Sequence, residues 1–545
     1  MAKKRKVTTG YKQANFLMIT AGCMLLLYLY LILCLYPFLI KPGYAETTDV
    51  KYGFLIALSY GFKVGSLHIP TFIPLSLLCM IAGTALYIKR SGKGMKVFVK
   101  SLRFSSTDIM VALYAIFVIV SAIVSHHRDY VLWGMELSNM GLAAQFMFIY
   151  IYFITSRLFD MDELKVLVYA TLIASSVVFV IGILQRFGFD IFDLYHGLEN
   201  KLFISTIGQH TYFSAYLILF FMLGVYALWL SDRGSPMYKA AVAHLVIASC
   251  LPCILNADMI FSGLFMALSF LFVLSFESVE RMRAFLEIAL IMLLTWRVIG
   301  IVWYFAKPEF RLEPLPKFIM QSPLFWIPVA FLVLLYVFIQ RKAKEKNGFN
   351  MMGYRRIGYL YAGLVGLIII ALTVYIILNT AGILPEKLRS DANYLLFDPF
   401  WGNGRGAIWH DSVMSFLGEL KNSPLTAIFG AGPDQFFFVL DEYVHDWLII
   451  YTDKLALYAH NEWLNAFMCY GVFGGAAYLG IFLSAVIRFV KNRNAAPVAL
   501  GAALIIVAYL AHQMFGYQQY ISTPYIFMIL GVGEQAVRER NRGFS

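Results

Sequence analysis

The chain has 545 residues, of which 60% are hydrophobic, 17% aromatic and only 14% charged. Soluble domains carry about a quarter charged residues, so this composition excludes an ordinary water-soluble globular protein. The formal net charge of +12 could suit a nucleic acid, and Lys3–Lys6 is a basic run typical of nuclear import. We interpret that run as a flank that orients the first membrane span, and we expect no nucleic-acid partner.

Fourteen apolar segments follow one another, and most are long enough to cross about 30 Å of hydrocarbon as helices. Their approximate ranges are 16–40, 71–88, 108–125, 142–156, 166–184, 212–230, 240–255, 260–276, 284–305, 323–340, 357–378, 462–487, 496–512 and 523–537. Lipid cannot satisfy exposed backbone groups, so the sequence predicts an all-α polytopic membrane protein with about 14 transmembrane helices. We expect the first segment to be a retained anchor, because it is longer than the apolar core of a signal peptide.

The basic residues indicate how the predicted spans are oriented. Of the 44 lysines and arginines, 29 fall on one face of a fourteen-span arrangement and 14 on the other, with Arg297 inside a span. Because cytoplasmic loops are enriched in basic residues, we expect both termini to be cytoplasmic. This divides the chain into an N-terminal bundle of about 11 spans (1–378), an extracytoplasmic catalytic loop (379–461), and three C-terminal spans with a cytoplasmic tail (462–545).

The long extracytoplasmic loop precedes the twelfth span and contains ten acidic residues against five basic ones. Its apolar residues recur at helical spacing, which predicts an amphipathic helix from about Ala407 to Leu420. The sequence Asn422-Ser-Pro424 should end that helix. We expect such short amphipathic helices to lie on the outer membrane face or to cap the bundle.

Arg405 is the first residue of this loop that could carry chemistry. It is flanked by Gly404 and Gly406 and comes directly before the predicted helix. A guanidinium beside a helix N-terminus can hold a diphosphate, because the free backbone N–H groups and the positive charge both favour an anion. The alternative is a surface arginine that pairs with Asp398 or Asp411.

Two further features of the loop could belong to the same site. The Gly430-Ala-Gly432 turn has amides that could approach either a ligand or another part of the backbone. His460 ends the loop at the membrane boundary, where a neutral imidazole could accept a proton from a sugar hydroxyl. Asn461 or Glu462 would then orient the imidazole. The alternative is a histidine that only caps a span.

Other polar residues are less specific. Further histidines also fall in the predicted outward segments, namely His196, His210, His410 and His445. No group of histidine, cysteine and carboxylate side chains has metal-ligand spacing, so we expect no metal and no other cofactor. Ionisable residues inside or near the ends of predicted spans can mark a transport path. They are His244, Asp258, Arg297, His512 and Glu534.

Two patches of the sequence resemble the O-antigen ligase and polysaccharide polymerase superfamily of bacterial membrane glycosyltransferases. The C-terminal patch consists of Arg405 with Trp409, the Gly430–Gly432 turn, His460-Asn461 with Leu464, and Gly471–Gly474. The upstream patch consists of Leu184–Gly188 and Ser205–Tyr216. The chain departs from the family in having Gly208-Gln-His-Thr211 and Asn256-Ala-Asp258 where other motifs are common.

The resemblance implies a glycosyltransferase of the bacterial cytoplasmic membrane. Its donor would be a glycan on undecaprenyl diphosphate at the outer leaflet, and its acceptor a glycan or lipid-linked sugar, with membrane lipids around both. Transfer would invert the anomeric carbon without a metal, with His460 as the base and Arg405 as the diphosphate clamp. The other substrate-binding candidates are Asn461, Trp409, Gly430 and Gly432, and, without a motif match, Arg186 and Arg389 for a second cation.

Two alternatives stay open at this point. Within the family, a polymerase joins lipid-linked repeats, whereas a ligase moves the finished glycan to a different acceptor. A flippase for lipid-linked oligosaccharides, or another polysaccharide transporter, could also have fourteen spans. Transporters tend to have internal repeats and polar sites at the membrane midplane. Here the unusual residues concentrate in one external loop, which favours an enzyme.

Overall fold

The computed structural model describes residues 2–41, 44–91, 104–136, 138–193, 203–344, 350–443 and 456–542. Regular structure in those ranges is helical except for two short antiparallel hairpins. The first half consists of α1 (Ala2–Tyr30), α2 (Tyr44–Ser59), β1 (Gly61–Val64), β2 (Leu67–Pro70), α3 (Phe72–Ser91), α4 (Ser106–Val124), α5 (Arg128–Val131), α6 (Leu142–Leu158), α7 (Leu164–Arg186), β3 (Phe203–Ile204), β4 (Gly208–Gln209) and α8 (His210–Leu230).

The regular structure of the second half is entirely helical in the described residues. It consists of α9 (Pro236–Cys250), α10 (Met259–Ser275), α11 (Val279–Ala306), α12 (Pro314–Gln321), α13 (Trp326–Ala343), α14 (Arg355–Thr380), α15 (Trp401–Asn422), α16 (Pro424–Phe429), α17 (Glu462–Lys491), α18 (Pro497–His512) and α19 (Thr523–Arg542). Each of the fourteen predicted spans falls on one of these helices. Short 3₁₀ and π turns extend or connect several of them.

Nine helical segments of the described chain are long and apolar enough to cross a membrane. They are Asn15–Phe38, Phe72–Lys89, Ser106–Val124, Met161–Arg186, His210–Leu230, Val279–Ala306, Pro323–Lys342, Met351–Thr380 and Glu462–Lys491. Three shorter apolar helices, α6, α10 and α18, pack among them. The prediction of a helical membrane protein is therefore confirmed. The number of fourteen spans stays a prediction.

Two parts of the chain differ from the sequence-based expectation. The region 41–70 was expected to be a loop, yet it contains α2 and the β1–β2 hairpin, in which Phe62 pairs with Ile69. Helix α9 ends at Cys250, earlier than the predicted 255, and is followed by a turn through Pro252. Proline cannot continue a helix without losing a hydrogen bond. Consequently Cys253 lies in the turn, outside the helix.

Helix α8 lies at the centre of the bundle and is buried along most of its length. It is apolar on all sides, as expected for a helix surrounded by other helices. Its neighbours are α7, α9, α10, α11 and α18. The N-terminal end of α8 points to the same end of the bundle as the start of α17 and the end of α18, and this end carries the candidate site.

Polar side chains inside the bundle join helices to one another. His244 of α9 contacts the Ser176 hydroxyl of α7 through Nδ1 at 2.8 Å, and its Nε2 contacts the Phe220 carbonyl of α8 at 3.0 Å. Arg297 of α11 donates to the carbonyls of Met320 at 2.6 Å and Ser322 at 2.9 Å. These groups satisfy hydrogen bonds that lipid could not supply. Their contacts indicate packing between helices more than a transport path.

A buried cluster of ions joins four helices at the opposite end. The Asp108 carboxylate of α4 accepts from Arg157 of α6 at 3.0 Å, from Tyr152 of α6 at 2.9 Å and from Arg538 of α19. Glu534 of α19 pairs with Arg538 at 3.2 Å and with Arg488 of α17 at 2.9 Å. Asp108 is fully buried, so its charge depends on these partners.

Replacing Asp108 with alanine should strongly destabilise the protein, because two buried arginines would lose a shared partner. Breaking a buried pair from one side costs about 3–5 kcal/mol. We expect a clear fall in the Tm of the detergent-solubilised protein for Asp108→Ala. Asp232→Ala, which removes an exposed carboxylate, should leave the Tm nearly unchanged. Equal Tm values for the two variants would contradict this role of Asp108.

Candidate functional site

The start of α15 is a left-handed turn followed by a regular helix. Gly402, Asn403 and Gly404 have φ values of 57°, 65° and 89°, and helical geometry begins at Arg405. A Cβ on Gly406 would collide with the Asp398 carbonyl, so the chain can pass this point only with glycine. The helix predicted over 407–420 is present and extends to Asn422, which is followed by Ser423 and Pro424.

Arg405 is held by carbonyl oxygens. Its Nη1 donates to the Gly402 carbonyl at 2.7 Å, and its Nη2 donates to the Phe515 carbonyl at 3.2 Å. Its Nε is buried without a hydrogen-bond partner, and no ion pair in the described part of the chain involves Arg405. Asp411, one alternative partner, instead contacts His410 at 3.0 Å. Burial lowers the pKa of Arg405 from its usual value, and nearby Tyr394, Tyr517 and Glu313 partly oppose that shift.

Trp409 connects α15 to the segment that carries His460. Its indole N–H donates to the Ala459 carbonyl at 2.9 Å. Its ring stacks on Phe515, with centroids 6.1 Å apart, and packs on Trp401 at 5.1 Å. Arg405 lies one helical turn before Trp409, so both side chains fall on the same face of α15. The indole therefore brings the arginine and the histidine to one place.

His460 is half-buried and has the unusual backbone φ of 48°. Its Nδ1 is buried without a hydrogen-bond partner, and its ring packs at 88° to the ring of Tyr517, with centroids 5.1 Å apart. Burial lowers the pKa of His460 from 6.5 to about 3, and the neighbouring Arg405 and His210 add to the shift. The imidazole is consequently neutral near pH 7. A left-handed non-glycine residue costs about 1–3 kcal/mol, which the surrounding packing must supply.

Asn461 and Glu462 have other roles than orienting the imidazole. The Asn461 side chain caps α17 by accepting from the N–H groups of Trp463 and Leu464, each at 3.1 Å. The Glu462 carboxylate is buried inside the bundle and accepts from the hydroxyl of Tyr509 at 2.8 Å. Asn461 therefore fixes where α17 begins, and with it the position of His460. The ring that contacts the imidazole belongs to Tyr517.

The Gly430–Gly432 turn is used for backbone packing. The amide of Gly430 donates to the Thr426 carbonyl at 2.7 Å, and that of Gly432 donates to the Cys469 carbonyl at 2.9 Å. The turn fits into a break in α17, where Gly471 has a φ of 70°. These amides bond to the protein's own carbonyls, which indicates a packing role, and the substrate-binding role of the two glycines stays a prediction.

Asp434 fastens the same turn to the segment before α6. Its Oδ2 accepts from the amides of Met135 at 2.8 Å and Met140 at 3.1 Å, and from the Ser138 hydroxyl. Burial raises the pKa of Asp434 from 3.8 to about 6, although these three donors oppose the shift. The carboxylate therefore holds two loops at the site end of the bundle.

The carboxyl groups of Asp258 and Glu313 lie near Tyr394, and that of Glu313 also acts on Arg405. Asn256 fixes the backbone at Glu313, because its amide donates to the Arg311 carbonyl at 2.8 Å while its oxygen accepts from the Glu313 amide at 3.2 Å. Burial, followed by the charge and hydrogen bond of Glu313, raises the pKa of Asp258 to about 7. A fraction of the Asp258 carboxyl is consequently protonated near neutral pH.

The two additional arginines predicted for substrate binding lie elsewhere in the contact network. Arg186, at the end of α7, contacts the Leu255 carbonyl at 3.4 Å and stacks over the Phe310 ring at 4.0 Å. Arg389 is exposed and donates to the Leu384 carbonyl at 2.8 Å within its own loop. Two histidines of the predicted outward segments, His196 and His445, lie outside the described residues.

No motif in the sequence predicts that the connection between α18 and α19, residues 513–522, contributes to the candidate site. This segment supplies the Phe515 carbonyl to Arg405 and the Tyr517 ring to His460. Its only signal in the sequence is a glutamine- and tyrosine-rich stretch, Gly516–Tyr520, between two apolar segments. Such a short connection between spans gives no indication of which loops it will meet.

Among the described residues, no group of three or more histidine, cysteine, aspartate or glutamate side chains could hold a metal ion. No protein-family model matches the chain, and a comparison with curated proteins found no match either. The family resemblance therefore rests on the two sequence patches alone.

The packing role of the glycine turn can be tested with Gly430→Ala. Gly430 has a φ of 95°, and a Cβ there would collide with the Cys469 carbonyl. We expect a loss of about 1–3 kcal/mol in unfolding free energy, since a left-handed alanine is strained. Gly363→Ala is the control, because nothing lies within 4 Å of that position in α14. A Gly430→Ala protein of normal Tm that bound lipid-linked donor more weakly would instead indicate a ligand-binding turn.

Proposed function

We propose that this protein is a membrane glycosyltransferase of the polysaccharide polymerase or O-antigen ligase type. It transfers or polymerises glycans carried on undecaprenyl diphosphate at the outer face of the bacterial cytoplasmic membrane. One observation carries the proposal: Trp409 joins the helix of Arg405, which has no ion-pair partner in the described chain, to the residue before a neutral, half-buried histidine, His460. A glycosyl transfer with a diphosphate leaving group needs such a pair.

Arg405 acts on the leaving group. As the bond between the anomeric carbon and the diphosphate oxygen breaks, negative charge grows on that oxygen. A fixed guanidinium stabilises this charge without having to reorganise. The carbonyls of Gly402 and Phe515 hold the guanidinium in place without forming an ion pair with it. The helix that starts at Arg405 adds the favourable field of its N-terminus.

His460 acts on the acceptor. Its neutral imidazole accepts the proton of the attacking hydroxyl while the hydroxyl oxygen forms the new bond to the anomeric carbon. The diphosphate leaves from the opposite side, so the anomeric configuration is inverted. An anionic donor bound at Arg405 would cancel part of the field that lowers the pKa of His460. Donor binding would thereby make the imidazole a stronger base.

The finer topology is part of the same proposal. We infer fourteen spans with both termini in the cytoplasm, from the distribution of lysine and arginine along the sequence. In that arrangement the residues 379–461 and the connection 513–522 lie outside, where a lipid-linked donor and its acceptor meet. The surrounding membrane lipids would hold the polyprenyl chain of the donor.

A transporter is the weaker alternative. Ionisable side chains on the helices of transporters usually face a substrate path. Here His244 and Arg297 are used in hydrogen bonds between neighbouring helices. A polymerase and a ligase differ in their acceptor, so the glycan that accumulates in an inactive variant distinguishes them.

Replacing His460 or Arg405 with alanine should abolish glycan transfer in the native bacterial host. Loss of a general base typically costs about 10²–10⁴ in rate. Lipid-linked glycans should therefore accumulate, and their chain length can be measured after extraction. His410→Ala and Arg128→Ala are controls, since both remove exposed side chains of the same types. All four proteins should reach similar levels in the membrane.

The accumulated species separates the alternatives. Single lipid-linked repeats would identify a polymerase, and long untransferred polymers would identify a ligase. Glycan stranded on the cytoplasmic leaflet would point to a flippase. Normal glycan in both the His460→Ala and the Arg405→Ala strains would refute the proposed site.

A further inference from the structure

Tyr517 is a buried aromatic residue between α18 and α19 that contacts three other rings. Its ring is stacked on Tyr458, with centroids 4.1 Å apart and an angle of 9°. It meets the ring of His460 at 88° and 5.1 Å, and that of Tyr212 at 71° and 5.8 Å. A ring held from several sides in this way has little freedom to turn.

The hydroxyl of Tyr517 gives the ring a further fixed point. It donates to the Gln209 side-chain oxygen at 3.4 Å, and the Thr211 hydroxyl donates to the same oxygen at 2.7 Å. Gln209 directly precedes α8, the most deeply buried of the apolar spans. Tyr517 is therefore anchored to the rigid centre of the bundle.

Among the described residues, no polar group fixes the ring of His460. A histidine base is usually oriented by a carbonyl or carboxylate that accepts from one ring nitrogen. Here Nδ1 is buried without a hydrogen-bond partner. Asn461 caps α17 and Glu462 is bonded inside the bundle, so neither neighbour supplies that group. Packing against an aromatic ring is the remaining means of orienting the imidazole.

We propose that Tyr517 is a positioning residue for His460, which holds the imidazole with Nδ1 buried and leaves Nε2 to meet the acceptor hydroxyl. This inference rests on the proposed function of His460 as the base. The ring of Tyr517 also excludes water from the buried edge of the imidazole. Among the described residues, the groups of other elements whose charge acts on the imidazole are Arg405 of α15 and His210 of α8.

The test compares Tyr517→Ala, Tyr517→Leu and Tyr517→Phe in purified protein with a lipid-linked donor. Displacement of the base should lower kcat by about 100-fold in the alanine and leucine variants, with little change in the KM for the acceptor. Tyr517→Phe keeps the ring and should remain within a few-fold of wild type. Tyr517→Leu removes the aromatic ring but keeps much of the side-chain volume, so the test can still be made if Tyr517→Ala does not fold.

The pH profile of kcat/KM for the donor separates positioning from simple destabilisation. The wild-type pKa of His460 is about 3, so protonation of His460 itself should not lower kcat/KM above about pH 5. Removing the ring of Tyr517 lets water reach the imidazole, which raises its pKa towards about 6.5. Activity of Tyr517→Ala and Tyr517→Leu should therefore fall below about pH 6, whereas that of Tyr517→Phe should not.

Tyr520→Ala is the matched control, because it removes a buried ring of the same connection that packs on Tyr52 and Tyr212. This variant should lower the Tm without changing the pH below which kcat/KM falls. The positioning role of Tyr517 would be overturned if the pH below which kcat/KM falls were the same in Tyr517→Ala and Tyr517→Leu as in wild type. It would also be overturned if that pH rose equally in Tyr520→Ala. Either result would leave His460 as the base. Full activity of His460→Ala would instead refute the proposed function, and this inference with it.

Discussion

The hydrogen bond from the Trp409 indole to the Ala459 carbonyl determines the geometry of the candidate site. It joins a helix of the long loop to the residue before His460, across a wide separation in the chain. Phe515 and Trp401 pack around the indole, so water cannot easily replace its carbonyl partner. Because Arg405 lies one turn earlier on the same helix, this single bond also sets how far the guanidinium is from the imidazole.

Buried charged side chains have different partners at the two ends of the bundle. At one end Asp108 is matched by Arg157 and Arg538, and such a closed group of ions serves to join helices. At the other end Arg405 is held by carbonyl oxygens, and its charge is left without an ion-pair partner in the described chain. A cation kept in this way attracts an anion from outside the protein. This contrast indicates a structural role for the Asp108 cluster, and it supports the proposed anion-binding role of Arg405 without reference to any family.

The features that could be predicted are those that depend on patterns within one segment of the sequence, such as apolar length and helical periodicity. Hydrocarbon demands long apolar helices, so the positions of the spans could be read from the sequence, as could the amphipathic helix in the loop. Helix α2 was missed because tertiary contacts support it: the buried Lys51 ammonium donates to the carbonyls of Tyr36 and Pro37, each at 3.0 Å. Tyr517 was missed for a similar reason, since ring contacts between distant loops leave no periodic pattern.

The proximity of Arg405 to His460 has opposite effects on the two halves of the proposed reaction. In that reaction the guanidinium would stabilise the departing diphosphate, but its charge adds to the burial that lowers the pKa of His460 and weakens it as a base. The conflict is resolved if the donor binds first, since its negative charge offsets the field of the guanidinium at the imidazole. The acceptor proton can then move to His460 only when a leaving group is already in place. Under the proposed function, the imidazole would therefore be a stronger base with the donor bound than in the empty site, by the part of its pKa shift that Arg405 causes.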